Sequence, residues 1–364
     1  MYNILVLGAS GSGKTCFLAS MYEKLSVQRP DIGFFVRIGE RERIILASKY
    51  REMEDPSKAW PPSTKDVKEW RFTCCVRAGE RNYPLLDFAY LDYAGQQLTQ
   101  ESENPAFSVD DVATKADAIL ILLDGLKILR RLEGISDTLS SPLHNDLRYI
   151  LPIIQNLEGT PLHFVITKWD LLEGKYTLRE AREVLFEDER FAALVEQQRT
   201  RKNPTRLIPV SAVGKGFATL VDDSMKKNPN AIPKPFQVEV PIACVLIDGF
   251  EMAQRSLSAR QRESLLKKKG FWQQFFQKIT GASESVPPLP LPPQYQLAQS
   301  VLKALLSFVH KELTSSLEKL EREREDAIKS VQDENGAMRS LVLSYQILTW
   351  KLEKDFPESN LHRV

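Results

Sequence analysis

The chain is poor in cysteine, with four thiols in 364 residues: Cys16, Cys74, Cys75 and Cys244. None has metal-type spacing, and adjacent Cys74 and Cys75 would face opposite sides of a strand. That excludes a zinc module or a disulfide framework and points to core thiols in a reducing cytoplasm. No apolar run reaches the ~18–20 residues needed to span a bilayer. The first apolar stretch starts too close to Met1 to leave room for a secretory leader, and neither a myristoylation start nor a prenylation end is present. Excess charge is lacking as well: 49 Lys and Arg stand against 48 Asp and Glu, for a net of +1. Nucleic-acid binding by bulk electrostatics is therefore not expected. A hydrophobic content of 43% is ordinary for a folded chain, and the length suits one large domain with an appendage, or two domains.

What is present begins with Gly8-Ala9-Ser10-Gly11-Ser12-Gly13-Lys14-Thr15. The apolar run Tyr2–Leu7 before it reads as a strand, and Cys16–Tyr22 after it reads as a helix start. Strand, glycine-rich turn and helix form the setting in which GxxxxGK[ST] cradles phosphates. Glycines let the backbone approach the anion and take positive φ, and successive N–H groups then face it. Lys14 would reach the β- and γ-phosphates, and the Thr15 hydroxyl would bind Mg²⁺. A plain glycine-rich loop is the alternative. A second run, Leu85–Leu91, reads as a buried strand ending in Asp92-Tyr93-Ala94-Gly95-Gln96. Asp92 is placed there to hold Mg²⁺ through a water, and the Gly95 backbone N–H to meet a γ-phosphate; alone, such an Asp is often just a turn former.

A third run, Pro161–Ile166, is followed by Thr167-Lys168-Trp169-Asp170. A carboxylate in that position can accept from guanine N1–H and the exocyclic amine. Adenine lacks this donor pair and would leave a desolvated charge unpaired, at a cost of roughly 1–3 kcal/mol or more. The Lys168 stem can lie along the base. A last strand before Ser211-Ala212 would let a small-residue loop offer an N–H to guanine O6.

In order and spacing, Gly8–Thr15, Asp92–Gln96, Thr167–Asp170 and Ser211–Ala212 resemble the Ras-like GTPases of the translation-factor-related class, over roughly residues 1–255. The Trp60-Pro61-Pro62-Ser63-Thr64 string and the long tail look most like the double-GTPase group of bacterial conflict systems. The resemblance implies GTP or GDP with Mg²⁺, slow GTP hydrolysis and a switch read by a protein partner. It implies a phosphate-binding set of Gly8, Ser10, Gly11, Ser12, Gly13, Lys14, Thr15 and Cys16, with Gly95 at the γ-phosphate. It implies a base set of Thr167, Lys168, Asp170, Ser211 and Ala212. Thr15, Asp92 and a first-switch Thr would attend the metal. Thr64 is the best match for that Thr, with Ser63 as a competitor. Gln96 would orient the attacking water, with Gln97 as a stand-in. Arg71 and Arg77 read as solvated, and no internal arginine finger is identifiable.

Alternation of strands and helices over residues 1–235 implies an α/β fold: a mostly parallel P-loop sheet with helices on both faces, and a C-terminal helical appendage. Val238, Val240 and Ile242 alternate like a strand, but Pro241 and the 3–4 spacing from Ile242 to Leu257 favour a helix beginning near Pro241. The expected divisions are a GTPase domain over 1–255, a basic aromatic helix with a Pro-rich linker over 256–294, and a helical hairpin over 295–364. Residues 255–280 carry seven basic side chains against Glu263 alone. Their aromatic stripe either packs on the chain's own helices or meets an acidic partner or membrane surface. Alternating charge from Glu318 to Lys329 suggests a helix projecting into solvent or pairing as a coiled coil, with a turn at Asn335-Gly336. The hairpin reads as an effector or assembly arm. A GTP-stabilised scaffold with little turnover is the competing function.

Overall fold

The computed structural model describes residues 1–62, 67–93, 112–135, 142–155, 157, 159–222, 224–256 and 317–362, with the side chains of 253–256 left aside. Ser63, Thr64, Gly95, Gln96, Gln97, the basic aromatic stretch beyond 256 and the Pro-rich linker lie outside these residues.

β1 (Tyr2–Leu7) leads into α1 (Lys14–Leu25), followed by β2 (Phe35–Ile38), α2 (Glu40–Glu54), β3 (Lys68–Ala78) and β4 (Arg81–Asp92). Then come β5 (Ala118–Asp124), α3 (Gly125–Leu132), α4 (Pro142–Gln155), β6 (Leu162–Thr167), α5 (Leu178–Phe186), α6 (Glu189–Thr200) and β7 (Thr205–Pro209). A small hairpin of β8 (Ala218–Val221) and β9 (Ser224–Lys227) precedes α7 (Val240–Ser256), α8 (Leu317–Lys329) and α9 (Glu334–Asp355).

Seven strands form one sheet in the order β2-β3-β4-β1-β5-β6-β7. The β4, β1, β5, β6 and β7 neighbours run parallel, and β2, β3 and β4 pair antiparallel. Central strands such as β5 are buried at every residue, as continuous apolar runs covered on both faces must be. Along β1, Ile4 and Val6 join a core with α1, α7 and α9, while Leu5 and Leu7 join a second core with α3 to α6. In the β3–β4 hairpin the register shifts between Cys74 and Cys75, opposite Pro84. The bulge leaves Leu85 unpaired next to Pro84, whose lack of an N–H weakens the ladder at that point.

The expected helix near Pro241 is present as α7. The C-terminal helical appendage is present: α8 and α9 pair, with Lys351 Nζ 2.9 Å from Glu321 Oε1, and α9 packs against the sheet. It buries Leu341, Val342, Tyr345, Leu348 and Leu352 in the first core, and the Tyr345 hydroxyl donates to Cys74 Sγ at 3.1 Å. The periodicity of α9 is that of a helix apolar on more than one side, which marks burial rather than projection. Arg324 of α8 donates to the carbonyl oxygens of Asp31 (3.1 Å) and Pro30 (2.6 Å). Asn335-Gly336 is no turn: Asp333 caps α9 by accepting from Gly336 N at 2.9 Å, so the break falls just upstream. An Asp three residues ahead of a Gly competes with the turn reading because it satisfies an orphan helix N–H. β2, α2 and the β8–β9 hairpin were not legible in the sequence.

Candidate functional site

The strand ends of β1, β4, β6 and β7 bring the motifs to one rim of the sheet, where open α/β sheets bind ligands. Gly8 to Gly13 carry the backbone from β1 into α1. Gly11 and Gly13 take φ of 81° and 84°. A Cβ on Gly8 would sit 2.6 Å from Ser12 Oγ and 2.9 Å from the Leu122 carbonyl oxygen. No side chain caps α1, so its first N–H groups are left to an anion. Ser12 Oγ is buried without a hydrogen-bond partner. Ser10 and Gly11 are exposed, and Thr15 and Cys16 are half-buried in the first turn of α1.

Lys14 is buried, and its ammonium bends back to donate to the Gly8 carbonyl at 2.6 Å and the Ala9 carbonyl at 3.3 Å. Burial lowers its pKa, while the Asp92 and Asp146 carboxylates pull it up. Asp92, at the end of β4, is beside Val6 of β1 in register and is itself buried. The structure thus brings Lys14 and Asp92 into one electrostatic neighbourhood with Thr15 at the start of α1. A hydroxyl and a carboxylate are hard oxygen donors of the kind Mg²⁺ takes in small number, completing its shell with phosphates and water. The residues present fit that ion. Among the described residues no cluster of three or more His, Cys, Asp or Glu could hold a metal by itself.

Two hydrogen-bonded welds build the base-side wall. The Thr167 hydroxyl lies 2.8 Å from the Ser12 carbonyl oxygen and 3.0 Å from that of Leu123, fastening the end of β6 to the phosphate loop. Trp169 N donates to the Val210 carbonyl at 3.0 Å, and Val210 N donates to that of Ile166 at 2.8 Å. Lys168 turns the chain in the left-handed region with φ of 53°. Its ammonium pairs with Asp124 Oδ2 at 2.8 Å. Asp124 also caps α3, its Oδ1 accepting from Leu126 N at 3.0 Å. Sequence reasoning missed Asp124; a carboxylate directly after the apolar run Ala118–Leu123 was the one available signal.

Asp170 Oδ1 accepts from the Ser211 hydroxyl at 2.5 Å, and Ser211 Oγ in turn accepts from Gly214 N at 2.8 Å. Burial pushes the Asp170 pKa up while the Ser211 hydroxyl holds it down. Asp170 Oδ2 is buried with no hydrogen-bond partner. The neighbouring Ala212 is half-buried, and its carbonyl accepts from Ser20 Oγ of α1 at 2.7 Å. So Gly8, Ser10, Gly11, Ser12, Gly13, Lys14, Thr15, Cys16, Asp92, Thr167, Lys168, Asp170, Ser211 and Ala212 are gathered at one rim, while Thr64, Gly95 and Gln96 fall outside the described residues.

A parallel-cored sheet with this phosphate loop and these strand-end motifs defines a P-loop GTPase domain of the translation-factor-related class. More narrowly, the chain belongs to the Double-GTPase 2 family, which matches residues 3–221. Solved structures to which the chain is similar include the GTP-bound Ski7 GTPase-like domain of S. cerevisiae, at 15% identity over 68% of this chain and 50% of that one, TM-score 0.37. A second is the signal recognition particle receptor SRb-GTP/SRX complex of Chaetomium thermophilum, at 17% identity over 59% of this chain and 93% of that one, TM-score 0.35. A third is the Methanococcus maripaludis elongation factor SelB with a GTP analogue, at 16% identity over 58% of this chain and TM-score 0.28. The chain spans 30% of the length of that elongation factor. A search of curated proteins finds no match.

Proposed function

We propose that this chain is a GTP-hydrolysing switch of a bacterial conflict or signalling system, working with Mg²⁺ in the cytoplasm. The carrying observation is Asp170: one carboxylate oxygen is locked by Ser211, and the other is buried without a partner. An orphaned carboxylate oxygen costs free energy unless a ligand donates to it, and the guanine N1–H and amino group are such donors. Thr167 fastens the end of β6 to the phosphate loop, and Asp124 holds Lys168. Lys14 would exchange the Gly8 and Ala9 carbonyls for the β- and γ-phosphates. Thr15 and Thr64, with Asp92 through a water, would hold Mg²⁺, which when bound would neutralise phosphate charge. Gln96 would orient water, with Gly95 on the γ-phosphate, so intrinsic turnover should be slow, on the order of 10⁻⁴ to 10⁻² s⁻¹.

The partner-reading surface is the switch segments together with the exposed charged face of α8, whereas α9 is committed to the core. Nucleotide competition tests the reading. Asp170→Asn should shift preference from guanine to xanthine nucleotides, and retained GTP preference would refute the base assignment. Gln96→Leu should abolish turnover while leaving GTP bound. Unchanged turnover with stoichiometric GTP would favour a GTP-stabilised scaffold instead.

A further inference from the structure

The aromatic ring at the end of α9 lies behind the base-side wall. Phe356 is the C-cap of that helix and is half-buried between the two cores. Its ring meets Trp169 edge-on, with centroids 6.1 Å apart and planes at 86°. It also meets Phe236 at 6.3 Å and 73°. Trp169 is the residue immediately before Asp170. Phe236 exchanges two backbone hydrogen bonds with Ser211, Ser211 N to the Phe236 carbonyl at 3.1 Å and Phe236 N to the Ser211 carbonyl at 2.8 Å. One ring from the far end of the chain therefore backs both members of the Asp170–Ser211 pair.

The segment around Phe356 is itself pinned. Upstream, Glu353 Oε1 accepts from Arg206 Nη1 of β7 at 2.6 Å. Downstream, Leu361 N donates to the Thr205 carbonyl at 3.1 Å, and Asn360 bridges Arg206. Glu358 pairs with Arg179 at 3.3 Å. Such fastening on both sides leaves the ring little freedom, and a rotamer locked by its neighbours is what holds a recognition group in register. Edge-to-face aromatic pairs add stabilisation beyond their buried area.

We propose that Phe356 is a positioning residue for guanine recognition: it sets where the Asp170 carboxylate stands and so how sharply the site distinguishes a purine carrying the 2-amino group from one lacking it. This rests on the guanine reading of Asp170 given above. Phe356 touches no nucleotide and acts through Trp169 and Phe236.

The test compares the affinities of the full chain for GDP and IDP, which differ only in that amino group, by calorimetry. The wild type should prefer GDP. Phe356→Leu retains apolar bulk but loses the ring edge, and should cut the GDP-to-IDP ratio by about threefold or more, with Phe356→Tyr restoring it. A purely structural role would weaken both nucleotides in proportion and leave the ratio intact. If Phe356→Leu melts like the wild type and keeps the full ratio, the positioning role is overturned. If Phe356→Leu does not fold, Phe356→Met decides in its place: a GDP-to-IDP ratio cut by about threefold supports the role of the ring, and a wild-type ratio in the folded Met variant overturns it. A wild type that binds neither nucleotide, or both equally, would instead overturn the guanine reading itself.

Discussion

Removing the Asp248 carboxylate should be among the most damaging single changes in this molecule. Asp248 of α7 is 1% exposed and accepts two hydrogen bonds from Arg206 of β7, from Nε at 2.6 Å and Nη2 at 2.9 Å. His163 Nε2 of β6 stands 3.1 Å from the same carboxylate, and Glu353 of α9 takes the remaining arm of the guanidinium at 2.6 Å. Burial alone would raise the Asp248 pKa, but the Arg206 charge and its hydrogen bonds outweigh that and hold the carboxyl far below the usual range. In Asp248→Ala, Arg206 keeps one partner in a buried place. Breaking a buried pair on one side costs about 3–5 kcal/mol, a large part of the ~5–15 kcal/mol that holds a domain together.

At an m-value near 3 kcal/mol/M, that loss lowers the urea midpoint by about 1–1.7 M. Replacing both partners with apolar residues, Arg206→Met with Asp248→Leu, should recover much of the loss, because neither charge is then left desolvated. The folded pKa is depressed, so the Asp248 contribution is complete above the unfolded value near 4 and fades as pH falls below it. Asp248→Ala should therefore also flatten the acid limb of a stability-versus-pH curve. A midpoint within about 0.3 M of the wild type, or a double variant no better than the single one, would refute this account of the network.

Two further outcomes follow from the same physics. Gly33 takes φ of 87°, and a Cβ there would collide with Ser344 Oγ of α9; Gly33→Ala should cost about 1–3 kcal/mol, and a midpoint unchanged in urea would mean that α9 does not dock on this loop. Asp117, whose Oδ2 accepts from Asn3 N at 2.8 Å, has its pKa pushed up to about 6 by burial, against the pull of that hydrogen bond. A folded pKa above the unfolded value makes stability fall as pH rises between about 4 and 6, so Asp117→Asn should remove that downward slope and gain stability most above pH 6. An unchanged profile would show that Asp117 titrates normally.

The motif-bearing half of this protein was legible because its chemistry is local in sequence. The phosphate loop needs glycines at set positions, the strands buried on both faces need unbroken apolar runs, and both leave marks without any knowledge of the rest of the chain. Pro241 was read correctly as a first-turn residue for the same reason. The tail was legible as a pair of helices, but not in where it packs. Leucines of α9 look alike whether they meet a partner, a second copy or the chain's own sheet, since hydrophobic burial carries no direction.

Asn335-Gly336 misled because turn dipeptides act through their neighbours, and Asp333 supplies a helix cap instead. β2, only four residues long, has no pattern strong enough to stand out. Sequence alone determined the P-loop GTPase family and placed its motifs directly after the strands that end at Leu7, Asp92, Thr167 and Pro209. Only the tertiary structure decided that Thr167 fastens the base loop to the phosphate loop, that Asp124 takes the Lys168 charge, and that Phe356 stands behind Asp170. Contacts between residues so distant along the chain depend on which helix covers which face of the sheet, and that is a property of packing geometry rather than of any local run of residues.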